Sequence, residues 1–236
     1  MKSDNYSALP SLGKEKNDDP IGISFDCDGV LYALEMAHAI HIKEEHDEDY
    51  HPSDVTYWDY IVDKYPTIVK VWGEWEHYSK GEIINDAKKA VKKAQELCGI
   101  ENVRIVSSSF PDIIEEKTKM LSEALGIPPH LIFNIPHGVP KSKYTKDCIH
   151  VDDYHHHVEE TSNTNGLPSI LFDRAGEYGW SKGYQCSDNT YRCTDFAQMI
   201  ALFEQLVVAS PVKEVKIRFK KEDKSEDETQ GLHIKL

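Results

Sequence analysis

Apolar and polar positions along this chain follow two rhythms, which divide it into short strands and longer helices. Compact apolar runs at 21–25, 103–106, 131–135, 148–151 and 169–172 read as buried strands. Between them, helical spacing predicts helices over 82–97, 111–125, 154–161 and 194–208. The second of these is sharply bounded. Pro111 opens it, Ile113, Ile114, Met120, Leu121 and Leu125 are its apolar positions, and Gly126 stops it. Strands alternating with helices predict an α/β fold, a mostly parallel sheet covered by helices. In such sheets ligands collect off the carboxyl ends of the strands, so the residues just after each strand are the informative ones.

One stretch breaks the rhythm. Residues 33–81 carry the acidic run Glu44-Glu45-His46-Asp47-Glu48-Asp49 and the aromatics Tyr57, Trp58, Tyr60, Tyr65, Trp72, Trp75 and Tyr78. Three of the four tryptophans fall there and no convincing strand does, which predicts a small helical cap inserted after the first strand. The core would then comprise 20–32 and 82–210. Residues 1–19 are polar with scattered Pro and Gly, and read as a flexible N-terminal arm. Past residue 211, strand-like alternation of Val215, Ile217 and Phe219 gives way to a charged C-terminal tail, 211–236.

Composition narrows the partners. A chain of 236 residues accommodates one domain with an insertion, and 39% hydrophobic with 29% charged residues is ordinary for a soluble protein. The net charge of -14 argues against a nucleic-acid duplex or an anionic membrane as partner. A small phosphorylated ligand stays open, because a bound divalent cation reverses the local sign. Cys27, Cys98, Cys148, Cys186 and Cys193 form no C-x-x-C pair, and only Cys186 and Cys193 suggest a disulfide; free thiols in a reducing, cytoplasmic setting are expected. No run approaches a membrane span and the N-terminus lacks a signal-peptide core. Oligomeric state is not set by the sequence, a homodimer being one option.

The strand ends carry the chemistry. The run I-G-I-S-F delivers Asp26 and Asp28 around Cys27, followed by Gly29. V-R-I-V delivers Ser107, Ser108 and Ser109; the loop after the third strand delivers Lys141 and Lys143; C-I-H-V delivers Asp152 and Asp153. Neighbouring carboxylates repel each other unless a cation or shared proton relieves them. Each group suits phosphoryl transfer. A carboxylate can attack phosphorus, and Mg²⁺ between carboxylates and phosphate neutralises their repulsion. Asp26 and Asp152 fit as Mg²⁺ ligands, with Asp153 helping through water. A hydroxyl and an ammonium can hold the phosphoryl oxygens, and Asp28 can move protons to and from the leaving and attacking oxygens.

Taken together, Asp26-Cys27-Asp28-Gly29-Val30, a serine after the second strand, a lysine, and Asp152-Asp153 resemble the haloacid dehalogenase (HAD) phosphatase superfamily. Within it, F-D-C-D-G-V-L-Y, D-V-T-Y-W-D at 54–59, and V-D-D-Y-H-H-H followed by G-L-P-S-I-L-F-D-R-A are similar to the 5'(3')-deoxyribonucleotidase family. The resemblance spans about residues 21 to 208. It implies a Rossmann-like HAD core, a helical cap and an aspartyl-phosphate mechanism. Asp26 is then nucleophile and metal ligand, and Asp28 is acid/base and binds metal through its carbonyl. Ser107 or Ser108, with Lys141 or Lys143, holds phosphate; Asp152 and Asp153 complete the metal site. The implied substrate is a nucleoside monophosphate, with another small phosphomonoester, such as a sugar phosphate, as alternative.

Plainer readings compete at each position. D-x-D-G alone is also a turn with solvated acids, Asp152-Asp153 also caps a helix, and the serines also cap the helix at Pro111. The triple histidine 155–157 reads as a solvated helix surface, with a supporting role open for His155. Tyr57, Trp58, Trp72 and Trp75 are candidates for stacking on a base, against a role as core of the cap. A catalytically idle HAD-like binding module is the reading from another functional class.

Overall fold

The computed structural model describes residues 21–208. The N-terminal arm and the tail predicted from sequence, including the alternation at Val215, Ile217 and Phe219, lie outside the described residues. Six strands form one sheet: β1 Gly22–Phe25, β2 Val103–Ser108, β3 Ile132–Ile135, β4 Cys148–Asp152, β5 Ser169–Phe172 and β6 Thr190–Cys193. Their order is β3-β2-β1-β4-β5-β6 and every pairing is parallel. The chain therefore builds outward from β1 on one side, returns, and builds outward on the other. This reversal at β1 opens a crevice at the carboxyl ends of the central strands.

Four helices cover the sheet: α4 Ala87–Cys98, α5 Ile114–Leu125, α6 His155–Asn165 and α7 Phe196–Val208; α1 to α3 belong to the insertion described below. Strand side chains alternate between faces. Ile23 and Phe25 join Val103, Ile105, Ile149 and Val151 in the apolar core that α4, α5 and α7 close, with Phe25 edge-on to Phe203 of α7 at 5.7 Å. The intervening residues Ser24 and His150 are fully buried too, yet polar, and face the side taken by α6. Their hydroxyl and imidazole satisfy each other across the strands at 2.9 Å.

Five of the six strands match the predicted runs to within two residues. The exception, β6, is a four-residue edge strand whose T-Y-R-C carries no apolar run. The predicted helix at 82–97 begins only at Ala87. Its first residues instead close a neck: Ala33 donates to the Glu82 carbonyl (2.7 Å), Ile84 donates to Leu31 (2.9 Å), and Tyr32 bridges Ile83.

Between the two sides of this neck lies the insertion, with α1 Leu34–His46, α2 Tyr60–Lys64, α3 Trp75–Tyr78, two short 3-10 turns and no strand. Val55, Tyr65, Ile68, Ala37 and Ile42 are buried within it. The insertion is tied to the rest of the molecule by Arg174, which pairs with Glu35, and by Trp58, whose ring stacks on Tyr154 at 4.0 Å. Among the described residues no helix is long and apolar enough to cross a membrane, and all five cysteines are free, Cys186 exposed and Cys193 buried.

Inside the insertion His38 Nδ1 meets His77 Nε2 at 3.2 Å, both residues buried. Burial, then the neighbouring His77 and His41, push His38 down to about 3, and burial, then His41 and Lys80, push His77 down to about 4. An unfolded histidine titrates near 6.5. Below that value the unfolded chain binds protons that the folded one refuses, so this stability is complete above about pH 6.5 and is lost as pH falls toward 4. Urea denaturation at pH 7, 6 and 5 should show His38→Gln losing stability less steeply than wild type, by up to about 1.4 kcal/mol per pH unit. Equal slopes would show that His38 titrates normally.

Candidate active site

Because Phe25 pairs with both Ile105 and Val151, the residues that follow leave the sheet at one level. The Asp26 N–H still donates to the Val151 carbonyl at 2.7 Å. Alternation then places Asp26 on the polar face with Ser24, and Asp152 on that face with His150. The chain turns at once: the Cys27 carbonyl accepts from Leu31 and Tyr32 (2.8 and 2.9 Å), and Gly29 donates to Tyr32 at 2.8 Å. Gly29 has φ +80°, and a Cβ there would run into the Asp153 carboxylate, so only glycine fits.

Lys141, from the 3-10 turn Lys141–Lys143 before β4, is 2% exposed and reaches Asp26 Oδ1 at 2.8 Å and Asp152 Oδ2 at 2.7 Å. Asp152 is fully buried and also meets His150 Nε2 (3.1 Å), His157 Nδ1 (3.3 Å) and the Tyr154 N–H (3.0 Å). Burial alone would push its carboxyl up, but the charges of Lys141 and His157 and these hydrogen bonds hold it well below the usual carboxylate range. Asp26 has fewer partners. Burial and the nearby Asp152 and Asp28 outweigh Lys141 and push it up. Asp153 is pushed well up by burial and by Asp152 and Asp26, and its Oδ1 is buried with no hydrogen-bond partner.

Asp26, Asp152 and Asp153 each offer an oxygen within 4.8 Å of the others. Three buried carboxylates face one ammonium, and one carboxylate oxygen is orphaned. That donor set, all oxygen and net negative, fits a hard divalent cation such as Mg²⁺. The Asp28 carboxylate is not part of this trio.

Asp28 turns elsewhere. Its Oδ1 accepts from the Tyr78 hydroxyl at 2.6 Å and its Oδ2 from the Lys117 ammonium at 2.8 Å. Lys117 also donates to Ser107 Oγ at 2.9 Å and is completely buried. Neither Lys117 nor Tyr78 stands out in the sequence as part of the site. The signal was there: Lys117, Leu121 and Leu125 fall on one helical stripe, and all three are buried.

A cavity of about 430 Å³ opens above these groups, roofed by the insertion. Asp26, Asp28, Lys117, Lys141, Ser107 and Asp153 line its floor, while Leu34, Trp58, Ile61, Val62, Trp72 and Phe110 line its apolar side. A second cavity of about 420 Å³, between Asp49, Tyr50, Lys64 and Tyr65, touches none of the strand-end carboxylates.

Several predicted candidates land away from the cavity. Lys143 is exposed and only Lys141 enters the carboxylate cluster. The reason is the 3-10 turn, which sends the two lysines in different directions. Ser107, Ser108 and Ser109 all line the cavity, but the Ser109 hydroxyl is committed to Asn134 Oδ1 at 2.8 Å. Trp58 and Trp72 line the apolar side, but Tyr57 points outward to Asp63 and Trp75 packs on Tyr78. Among the three histidines of α6, His157 rather than His155 supports Asp152; His155 stacks on Tyr184 at 4.8 Å.

No family model matches the chain, and no curated protein matches it. Solved structures do. A HAD family hydrolase from Deinococcus radiodurans R1, crystallised with bound phosphate and sodium, has a TM-score of 0.55 at 14% identity, covering 81% of this chain and 98% of its own. A structure described as a "predicted phosphatase" from Clostridium acetobutylicum has a TM-score of 0.52 at 12% identity, covering 80% of this chain and 100% of its own. The six-stranded parallel sheet with its helices is thus the Rossmann-like fold of HAD structures.

If Asp26, Asp152 and Asp153 hold Mg²⁺, the ion stabilises the folded protein by mass action. Thermal melts should rise with Mg²⁺ over an EDTA baseline, by about 2.7 kcal/mol of stability at a hundredfold excess over Kd. Asp152→Asn should abolish that rise. A Mg²⁺-independent midpoint in the wild type would count against the site.

Proposed function

We propose that this protein is a Mg²⁺-dependent phosphomonoesterase that works through an aspartyl-phosphate on Asp26 and acts on nucleoside monophosphates. The observation that carries the reading is the floor of the cavity. There a buried carboxylate, Asp26, held by Lys141, lies within the same cluster as Asp152 and Asp153, while a second carboxylate, Asp28, faces the cavity on separate supports. Two carboxylates with different environments suit two roles. The likeness in fold to a HAD hydrolase crystallised with phosphate is in keeping with this chemistry.

In the first step an Asp26 oxygen attacks phosphorus while the bond to the leaving oxygen breaks, and Asp28 gives that oxygen a proton. In the second, Asp28 takes a proton from water as the water oxygen attacks phosphorus and the bond to Asp26 breaks. Alcohol and inorganic phosphate leave, and both carboxyl groups return to their starting states. Lys141, and the Ser107 or Ser108 hydroxyl, would hold the phosphoryl oxygens as charge spreads over them. Bound at Asp26 and Asp152 with Asp153 beside it, and by the family's pattern at the Asp28 carbonyl, Mg²⁺ supplies neutralisation of the phosphoryl charge.

The cavity's shape supports the substrate class. Among the described residues lining it, the lysines are Lys117 and Lys141, and both sit at the carboxylate floor, where a phosphate group would be held. The apolar side, with Trp58, Trp72 and Phe110, suits a flat, uncharged group such as a nucleobase. The roof also excludes bulky polymers and keeps water out once a small substrate is bound.

Asp26→Asn should abolish Mg²⁺-dependent phosphate release; persistence of activity would refute the nucleophile assignment. Across a panel of phosphomonoesters, kcat/KM should be highest for nucleoside monophosphates. Equal or better turnover of sugar phosphates would overturn the nucleotide assignment and leave the phosphatase chemistry standing.

A further inference from the structure

We infer that Lys117 and Tyr78 are positioning residues for Asp28: they aim its carboxylate at the leaving oxygen and stabilise the anion it becomes on giving up its proton. The inference rests on the proposed role of Asp28 and goes beyond it by assigning the groups through which that role is set.

The case begins with cost. Lys117 is completely buried on the stripe of α5 that also buries Leu121 and Leu125. A leucine or methionine at that position would satisfy packing, whereas a buried ammonium must be desolvated and is stabilised only by good partners. Its partners are the Asp28 carboxylate at 2.8 Å and the Ser107 hydroxyl at 2.9 Å, with the Tyr78 ring 4.9 Å away. An unfavourable choice for the core is thus spent on the acid/base carboxylate.

Tyr78 supplies the second hold. Its hydroxyl donates to the other Asp28 oxygen at 2.6 Å. The ring cannot swing, because it is stacked on Tyr32 with centroids 4.8 Å apart and planes 9° from parallel. The Tyr32 hydroxyl in turn donates to the Tyr78 carbonyl at 2.5 Å. Asp28 therefore accepts one strong hydrogen bond on each oxygen, one from the core helix α5 and one from α3 of the insertion. Two fixed donors restrict the χ rotation of Asp28, which lines the cavity. As Asp28 transfers its proton, negative charge develops between an ammonium and a phenol already in position.

This role makes a specific demand on leaving groups. A nucleoside alkoxide needs a proton as the P–O bond breaks; p-nitrophenolate does not. The measurement is kcat/KM, which reports the steps through release of the leaving group, for a nucleoside monophosphate and for p-nitrophenyl phosphate. Lys117→Met should lower the first by about 100-fold and the second by less than about fivefold. Tyr78→Phe, which keeps the stacked ring, should show the same selectivity with a smaller loss. Asp28→Asn serves as the reference.

Equal losses on both substrates would overturn the inference, and would assign Lys117 to phosphate binding or to the fold. Unchanged activity in both variants would overturn it also. Should Lys117→Met fail to fold, Tyr78→Phe decides, since it removes one hydroxyl from a stack that remains. If Asp28→Asn itself shows no selectivity, the acid assignment fails and takes this inference with it. If Asp28→Asn is selective and neither variant is, only this inference fails.

Discussion

Three carboxylates buried around the ends of two adjacent parallel strands constrain everything else in this molecule. Asp26, Asp152 and Asp153 repel one another in a setting with little water to screen them. Such a cluster is tolerated only if the surroundings supply cations and hydrogen bonds. The polar face of the sheet does this at depth: Ser24 holds His150, His150 holds Asp152, and Lys141 links Asp152 to Asp26. The Tyr154 N–H at the start of α6 adds another donor, and Trp180 fixes the Asp153 carbonyl through Nε1 at 3.1 Å. Gly29 is there because the Asp153 carboxylate occupies the space a side chain would need.

The two buried lysines divide the site. Lys141 answers the carboxylate trio, and Lys117 answers Asp28. That separation lets two aspartates two residues apart sit in different electrostatic surroundings. It also joins the insertion to the chemistry, since Tyr78 shares Asp28 with Lys117. Glu35 with Arg174 and Trp58 on Tyr154 also tie the insertion to the rest of the molecule.

Much of this was legible in the chain. G-I-S-F-D and C-I-H-V-D alternate apolar and polar residues on strands buried on both faces, so a serine and a histidine stand at the positions two before each key aspartate. Parallel pairing follows from strands alternating with helices, and the register of β1 on β4 in the fold brings those aspartates level. Lys117 was hidden because E-E-K-T-K reads as a solvated helix surface until its phase with Leu121 and Leu125 is noticed. The choice between Lys141 and Lys143 turned on one 3-10 turn. Trp75 and Tyr57 resembled Trp58 and Trp72 in composition, and only the fold of the insertion sorted those that line the cavity from those that do not. The edge strand β6 left no trace because an edge needs no apolar run.

The sequence by itself determined the residue types and their periods: which strands are buried, which residues follow them, and that carboxylates, hydroxyls and lysines gather at one sheet edge. Those facts are local, set by backbone geometry and the segregation of apolar side chains. Tertiary structure alone decided the partnerships. Asp28 meets Tyr78 50 residues later and Lys117 89 residues later. Such contacts depend on where helices pack and how side chains point across a shared space. Burial in that space gives each charge a strong preference for one neighbour, and only the packed chain determines which neighbour is within reach.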